Sequence, residues 1–302
     1  MKNLLDWSAC QLCPRMCGVD RTNGEKGFCG MDSRMMGARA ALHMWEEPCI
    51  SGTKGSGAVF FSGCTLRCVF CQNYEIAEGI CGREITLERL GQIFLELQEQ
   101  GAANINLVTP THYTLHIIKA LDLAKENGLR IPVVYNTSGY EKTETLKLLR
   151  GYIDIYLPDF KYMDGLLAAA YSNAPDYPEY AKRALEEMVG QTGPLKLDEE
   201  TGMARSGVIV RHLVLPGHVR NSKAVIQYLY ETYGDQIYIS IMNQYTPMPQ
   251  VTKDKLLGRK VTRREYEKVI DYALELGVEN GFFQEGDVAE ESFIPEFDSE
   301  GV

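Results

Sequence analysis

Between residues 57 and about 285, short apolar runs alternate with amphipathic helical stretches six times over, and this alternation limits the fold more than any other feature. The runs are Gly57-Ala-Val-Phe-Phe61, Asn104-Ile-Asn-Leu-Val108, Ile131-Pro-Val-Val-Tyr135, Tyr152-Ile-Asp-Ile-Tyr-Leu157, Val208 to Val214 and Gln236 to Ile241. Between the first two, Leu87, Leu90, Ile93, Phe94 and Leu97 keep helical spacing, with Thr86 placed to cap the start and Gly101 to end it. Leu115, Ile118 and Leu121 mark the next helix, which stops at Gly128. The last begins with a capping box, Thr262-x-x-Glu265, and should bury Tyr266, Val269, Ile270, Ala273 and Leu276. Such a succession requires a parallel sheet covered by helices. An open doubly wound sheet and an incomplete βα barrel both satisfy it. Both put function on the loops that follow the C-terminal ends of the strands.

The flanks differ from this array. Residues 1–50 are rich in cysteine, glycine and methionine and poor in periodicity, residues 51–285 form the βα unit, and residues 286–302 are an acidic and aromatic tail. The stretch from Phe282-Phe283-Gln284 to Ser292-Phe293-Ile294-Pro295-Glu296-Phe297 could cover a site at the strand ends. A net charge of −10 argues against a protein built to grip nucleic acid, which would carry a basic footprint. There is no apolar run of membrane-spanning length and no signal-peptide core at the N-terminus, so the expected location is cytoplasmic. In that reducing compartment nine cysteines read as metal ligands or buried thiols before disulfides.

The first run leads directly into Ser62-Gly63-Cys64-Thr-Leu-Arg-Cys68-Val-Phe-Cys71-Gln-Asn73. Soft thiolates select zinc, copper(I) or iron–sulfur clusters. A closed zinc site wants four ligands. A cubane cluster on three cysteines leaves one iron open for a further ligand. Three small buried residues in a tight loop would be the plain alternative, but three cysteines within eight positions speak against it. The other runs end in polar clusters: Thr109-Pro-Thr-His112, Asn136-Thr-Ser138-Gly139, Asp159-Phe-Lys161, Pro216-Gly217-His218 and Asn243-Gln-Tyr245. Polar groups at the mouths of apolar strands suit a polar ligand. His112 at a helix start reads more readily as a surface or capping residue. Arg211 and His212, being adjacent in a strand, should face opposite sides of the sheet.

The C-x3-C-x2-C loop after the first strand, with Phe70 before its third cysteine, resembles the radical S-adenosylmethionine signature. The strand-end set is similar to the glycyl-radical-enzyme activase branch, typified by pyruvate formate-lyase activase. Cys13-Pro-Arg-Met-Cys17-Gly18, His43-x-Trp45-Glu-Glu-Pro48, Asn104 to His112 and Tyr152 to Lys161 look like the PflX-type proteins related to that branch. The resemblance implies a partial (β/α)6 TIM-like barrel with a small cysteine-rich N-terminal metal-binding segment. It implies a [4Fe-4S] cluster on Cys64, Cys68 and Cys71, S-adenosylmethionine on its open iron, and hydrogen abstraction from a protein or small-molecule substrate by a 5′-deoxyadenosyl radical. Asp159 and Lys161 would meet the carboxylate and sulfonium region of the cofactor, and backbone around Thr109 its amino group. Ser138 and His218 belong to the same cofactor-facing set. Asn136 stands where activases carry an acidic residue, and Tyr245 where they carry a histidine near the cofactor. A low-potential donor such as flavodoxin or ferredoxin would supply the electron.

Cys10, Cys13, Cys17 and Cys29, with glycines between them, read as a metal knuckle whose ligation would supply folding energy to a segment with little core. Zinc and an auxiliary iron–sulfur cluster both fit. Cys49 and Cys81 read as ordinary thiols. The competing interpretation of the whole chain is a non-catalytic zinc-binding or nucleic-acid-interaction module. Acidic balance and polar strand ends count against it.

Overall fold

The computed structural model describes residues 6–284 and 295–302. Two single 3-10 turns, Trp7–Ala9 and Arg21–Asn23, precede the first strand. The elements are then β1 (Met35–His43), α1 (Pro48–Ser51), β2 (Ser56–Phe61), α2 (Tyr74–Ala77), β3 (Arg83–Ile85), α3 (Leu87–Glu99), β4 (Ile105–Val108), α4 (Thr114–Glu126) and β5 (Val133–Thr137). They continue with α5 (Thr143–Leu148), β6 (Ile155–Pro158), α6 (Gly165–Ser172), α7 (Tyr177–Thr192), β7 (Lys196–Leu197), β8 (Ala204–Leu213), α8 (Val219–Tyr233), β9 (Tyr238–Met242), α9 (Arg263–Leu276) and β10 (Gly281–Phe283).

One sheet runs in the order β10-β9-β8-β6-β5-β4-β2-β1-β3. Along this path every pairing from β2 to β10 is parallel, so the six strands expected from the sequence are present and β10 extends them, while β7 pairs antiparallel with β8 off the path. The pairing path ends at β10 on one side and β3 on the other, which makes an open, partial barrel. β2 and β4 are buried at every position. Helices cover one face and the barrel interior the other, hence continuous apolar runs instead of alternation. Outward residues such as Val59, Phe61, Leu107, Tyr135 and Val210 pack with the helices' Ile93, Phe94, Leu121, Leu185 and Leu229.

Thr86 caps α3 by accepting from Arg89 N at 3.1 Å, and Thr262 and Glu265 close both halves of the capping box on α9. In α4 the buried stripe is Ile117, Ala120, Leu121 and Ala124, so Leu115 and Ile118 are only its shoulders. β1 lies in the segment whose weak periodicity spoke against regular structure. It pairs antiparallel with β2 over most of its length and with β3 at Met35 to Gly37.

Between β1 and β2 the chain turns into the barrel. Cys49 and Ile50 pack there with Val134, Ile155, Leu157 and Ile209. Asn104 fixes this plug, donating from Nδ2 to Ile50 O at 2.7 Å while its Oδ1 accepts from Ser56 Oγ at 2.6 Å. At the other terminus residues 295–302 return to β1. Ser299 N donates to Ala38 O at 3.1 Å, Ala40 N donates to Glu300 O at 2.8 Å, and Phe297 packs on Phe60 with centroids 5.5 Å apart. Of the stretch expected to cover the site, Phe282, Phe283, Gln284 and Pro295 line the cavity described below. Ser292, Phe293 and Ile294 lie outside the described residues. Among the described residues no helix is long and apolar enough to cross a membrane.

Candidate active site

A cavity of about 670 Å³ opens at the C-terminal ends of the parallel strands. Cys64, Cys68 and Cys71 all line it, and so do Thr109, Asn136, Ser138, Asp159 and Lys161. Residues from β2, β4, β5 and β6 and their following loops therefore converge on one space.

The cysteine loop is held from several sides. Gly63 has φ +89°, and a Cβ there would lie 2.5 Å from Met31 Cγ and 2.8 Å from Cys29 O. Only glycine lets the loop pack this closely on the N-terminal segment. Beyond it, Val69 N donates to Tyr171 O at 2.9 Å and Ser172 Oγ donates to Cys68 Sγ at 3.0 Å. Arg15 reaches over from between two N-terminal cysteines. Its Nε donates to Thr65 O at 2.8 Å, its Nη2 to Ser172 O at 2.9 Å, and its Nη1 to Asn173 O. The guanidinium lies 3.8 Å from the Phe28 ring centroid.

Burial pushes the Cys68 and Cys71 thiols above their ordinary range, with the Lys161 ammonium as an opposing influence. Thiols that are costly to ionise alone suit a site where a soft cation compensates the thiolates. Among the described residues no group of three or more His, Cys, Asp or Glu is gathered as ligands of a metal ion. The three loop thiols lie on one cavity wall.

Lys161 Nζ pairs with Asp159 Oδ2 at 2.5 Å. Burial disfavours the ammonium, but Asp159 beside it outweighs that and raises its pKa. Tyr177 ties the strand ends behind the pair: its hydroxyl lies 2.8 Å from Ser138 O and 3.0 Å from Asp159 O, and it accepts from Lys161 N at 3.0 Å. Gly139, at φ +76°, has no room for a Cβ because the Asp159 carbonyl oxygen occupies that place. Thr109 adopts φ +57°, an outlier for a β-branched residue, and its N donates to Asn136 O at 2.9 Å. Arg67, in the cysteine loop, is also left-handed at φ 51°. Such strain collects at functional sites.

Beneath these ends lies Glu141, fully buried. Its Oε1 accepts from Thr111 Oγ1 at 2.6 Å and Thr137 Oγ1 at 2.5 Å, and burial raises its pKa to about 7.

Three expectations fail in this geometry. His218 does not line the cavity: its Nε2 pairs with Tyr171 OH at 2.9 Å. Tyr245 does not line it either, because its hydroxyl donates to Leu257 O at 2.7 Å and its ring backs Phe70. His112 is no surface residue. It is 2% exposed, its Nε2 meets Ser62 O at 2.7 Å, and burial lowers its pKa to about 3. Arg211 and His212 do face opposite ways, the first to the cavity and the second to Phe160 O.

One group on the cavity wall was not foreseen. Glu46 and Glu47 enter with the plug, and Arg211 Nη2 pairs with both. The signal was the His43-x-Trp45-Glu-Glu-Pro48 motif, which marks a resemblance but does not place its carboxylates on the cavity wall.

The N-terminal thiols form a separate set. Cys10 N donates to Val19 O at 3.0 Å and Gly18 N to Cys10 O at 2.9 Å, a short ladder that sets Cys10 beside Cys17. Phe28 N donates to Cys17 Sγ at 3.3 Å, which brings Cys29 in. Burial raises the Cys13 and Cys29 thiols, and the other cysteines of the set add to both shifts. None of the four lines the cavity. All nine cysteines are free thiols.

Residues 58–229 match the family model described as the radical SAM superfamily. An uncharacterized protein of Methanocaldococcus jannaschii is 30% identical over 273 residues, which cover 87% of this chain and 74% of that one. A second uncharacterized protein of the same organism is 25% identical over 229 residues, covering 70% and 62%. Among solved structures, anSMEcpe with bound AdoMet superposes with a TM-score of 0.51 at 13% identity over 71% of this chain and 57% of that one. Streptococcus suis SuiB superposes with a TM-score of 0.50 at 18% identity over 74% and 47%. This chain thus spans about half the length of those two structures, and the likeness is one of fold.

Proposed function

The chain is an enzyme of the radical S-adenosylmethionine superfamily, and from that premise we propose that Cys64, Cys68 and Cys71 hold a [4Fe-4S] cluster and that S-adenosylmethionine lies in the cavity above them. The observation that supports this reading is the convergence of the three thiols and the Asp159–Lys161 pair on one cavity wall. When bound, these groups supply one chemistry: an electron from a low-potential donor cleaves the sulfonium bond to methionine and a 5′-deoxyadenosyl radical, which takes a hydrogen atom from the substrate.

The chain's own residues bind, orient and exclude. Lys161 offers a fixed positive charge to a carboxylate, and Asp159 keeps that charge in place. The strained Thr109 turn and the Asn136–Ser138 turn present backbone groups to the cofactor's polar end. Phe70, buried against Tyr171 and Tyr245, keeps water from the loop. The N-terminal thiols, Cys10, Cys13, Cys17 and Cys29, would hold a second metal, zinc or an auxiliary iron–sulfur cluster, in the stretch before β1; β1 and the plug at Cys49 and Ile50 belong to the barrel unit, not to a separate segment of residues 1–50. Glycyl radical enzyme activation is one form of this reaction. The deep, charged floor of the cavity favours a substrate group that reaches inside it.

Anaerobic reconstitution with iron and sulfide tests the reading. The protein should turn brown and release 5′-deoxyadenosine from S-adenosylmethionine with dithionite, and Cys68→Ala should abolish the release and lower the bound iron. A colourless protein that retains only zinc and yields no 5′-deoxyadenosine would sink the proposal and leave the non-catalytic zinc module.

A further inference from the structure

The chain carries a net charge of −10, but one segment has the opposite sign. Between Thr252 and Arg264 stand Lys253, Lys255, Arg259, Lys260, Arg263 and Arg264, against the single acid Asp254. Arg259 and Arg263 are answered by Glu265 and Glu267 of α9. Lys253, Lys255 and Arg264 are exposed and have no ion-pair partner among the described residues.

The segment has a fixed shape. Asp254 Oδ1 accepts from Leu256 N and Leu257 N, both at 2.8 Å, and Thr252 Oγ1 donates to Pro249 O at 3.0 Å. At Gly258 a Cβ would lie 2.5 Å from Asp254 O and 2.7 Å from Thr252 O, so only glycine closes the turn. The one carboxylate is thus engaged by backbone N–H groups, while the lysines on either side of it stand in solvent.

Its position gives this patch a use. Gln250 Nε2 reaches Cys71 O at 3.5 Å, and Gln72 Nε2 donates to Gln244 O at 2.7 Å. Tyr245 OH donates to Leu257 O at 2.7 Å, and the Tyr245 ring lies 6.2 Å from that of Phe70. Leu256 packs over Gly217, whose N donates to Glu265 Oε1 at 2.8 Å and so brings in the start of α9. Next to it His218 pairs with Tyr171, and the Tyr171 carbonyl accepts from Val69 N. The basic segment therefore abuts the loop that carries Cys68 and Cys71. It does so on a face of its own, because no residue from Tyr245 to Arg264 lines the cavity. Val69 and Leu256, 36% and 38% exposed, add apolar surface beside the charges. An apolar centre with a charged rim is the makeup of a protein-docking face.

A cationic patch alone would suit any polyanion. This one borders the ligand loop of a redox centre. The electron for that centre has to arrive from outside while cofactor and substrate fill the cavity. An acidic carrier is repelled by the protein as a whole and attracted here, which is how charge steers an encounter to one face.

We propose that Lys253, Lys255 and Arg264, with Val69 and Leu256, form the docking face for an acidic electron-carrier protein of low potential. The inference rests on the radical reading of Cys64, Cys68 and Cys71. One electron passes: the carrier is oxidised by one, the cluster is reduced by one, and no bond forms or breaks in that step.

The test uses the reconstituted full chain, a flavodoxin of strongly negative net charge as the probe, and two charge-reversed variants. The patch variant is Lys253→Glu/Lys255→Glu/Arg264→Glu. The control is Lys119→Glu/Lys147→Glu/Lys196→Glu, three exposed positions on α4, α5 and β7 that bring the same change in net charge. Calorimetry at low salt reads the binding of oxidised flavodoxin. Release of 5′-deoxyadenosine reads electron delivery, from reduced flavodoxin or from dithionite. In wild type, flavodoxin binding and flavodoxin-driven release should both fall about tenfold or more on adding salt. The patch variant should show that loss at low salt, the control should lose about twofold at most, and dithionite-driven release should stay unchanged in both. If the triple reversal prevents folding, Lys253→Gln/Lys255→Gln should still weaken binding about threefold. Equal losses in the patch variant and the control would mean that net charge alone matters and would overturn the proposal. Unchanged flavodoxin binding in the patch variant would do the same, as would a duplex oligonucleotide that binds wild type more tightly than flavodoxin. Wild type that binds flavodoxin through the patch but releases no 5′-deoxyadenosine with dithionite would lose the radical reading and keep the docking face.

Discussion

Cys64, Cys68 and Cys71 follow a strand buried at every position, whereas Cys10, Cys13, Cys17 and Cys29 lie in a stretch whose regular pieces before β1, among the described residues, are two single 3-10 turns. The first set lines a cavity and the second does not. On the proposed reading, three ligands on a rigid strand end would leave a coordination position facing that cavity, and four ligands in a coreless segment would close around a metal and hold the segment together. Thiol chemistry is the same in both. What differs is the backbone beneath it and the number of thiols. The two sets also touch: Gly63 packs on Cys29, Arg15 clamps the cysteine loop, and Gln11 and Leu12 accept from Lys142 Nζ at 3.1 Å and Thr145 Oγ1 at 2.6 Å.

Cys68→Ser should produce the largest effect. Release of 5′-deoxyadenosine should fall by at least about a thousandfold, as expected where one group is indispensable, while metal bound at the N-terminal set, measured by elemental analysis, stays unchanged. If both metals are lost together, the two sets are one cooperative site and the contrast collapses.

Cys13→Ser is the reciprocal variant. If these thiols hold a structural metal, its loss should cost many kcal/mol of unfolding free energy, because ligation supplies folding energy to such a segment. Chemical denaturation measures it. Through Gly63 and Arg15, cluster loading should also fall severalfold.

Glu141 probes the seam between the regions. Burial moves its pKa from 4.5 to about 7. The folded protein prefers the neutral acid, so this group supports folding below about pH 4.5 and loses that support as pH rises to about 7. The change is worth roughly 3 kcal/mol at most. Melting temperatures of wild type and Glu141→Gln between pH 5 and 8 should converge or cross as wild type loses stability with rising pH and the variant does not. Parallel curves would show that Glu141 is ionised throughout.

Arg15→Ala should have the smallest effect. Three backbone acceptors lose their donor, which costs about 1–3 kcal/mol. N-terminal metal content should hold while the cluster becomes easier to lose on dilution or brief exposure to air. Arg15→Lys should not rescue it, because one ammonium does not reproduce the planar fork.

Much of this was legible. The parallel array follows from six apolar runs, and the loop after β2 announces its chemistry in eight residues. Asp159 and Lys161 meet because a strand residue and its second neighbour share a face. The rest depends on distance in sequence. Nothing local in Tyr245 tells that Leu257 takes its hydroxyl, or in His218 that Tyr171 does. Glu46 and Glu47 become a cavity floor only when Arg211, more than 160 residues away, arrives beside them. β1 escaped because its buried positions, Met35, Gly37, Ala38 and Ala40, include small residues and do not alternate cleanly.

The plug formed by Cys49 and Ile50 has a folding corollary. Its partners Val134, Ile155, Leu157 and Ile209 come from strands about 80 to 160 residues further along the chain, and contacts so distant in sequence are the slow ones to form. The stopper is therefore seated only after the strands around it have assembled.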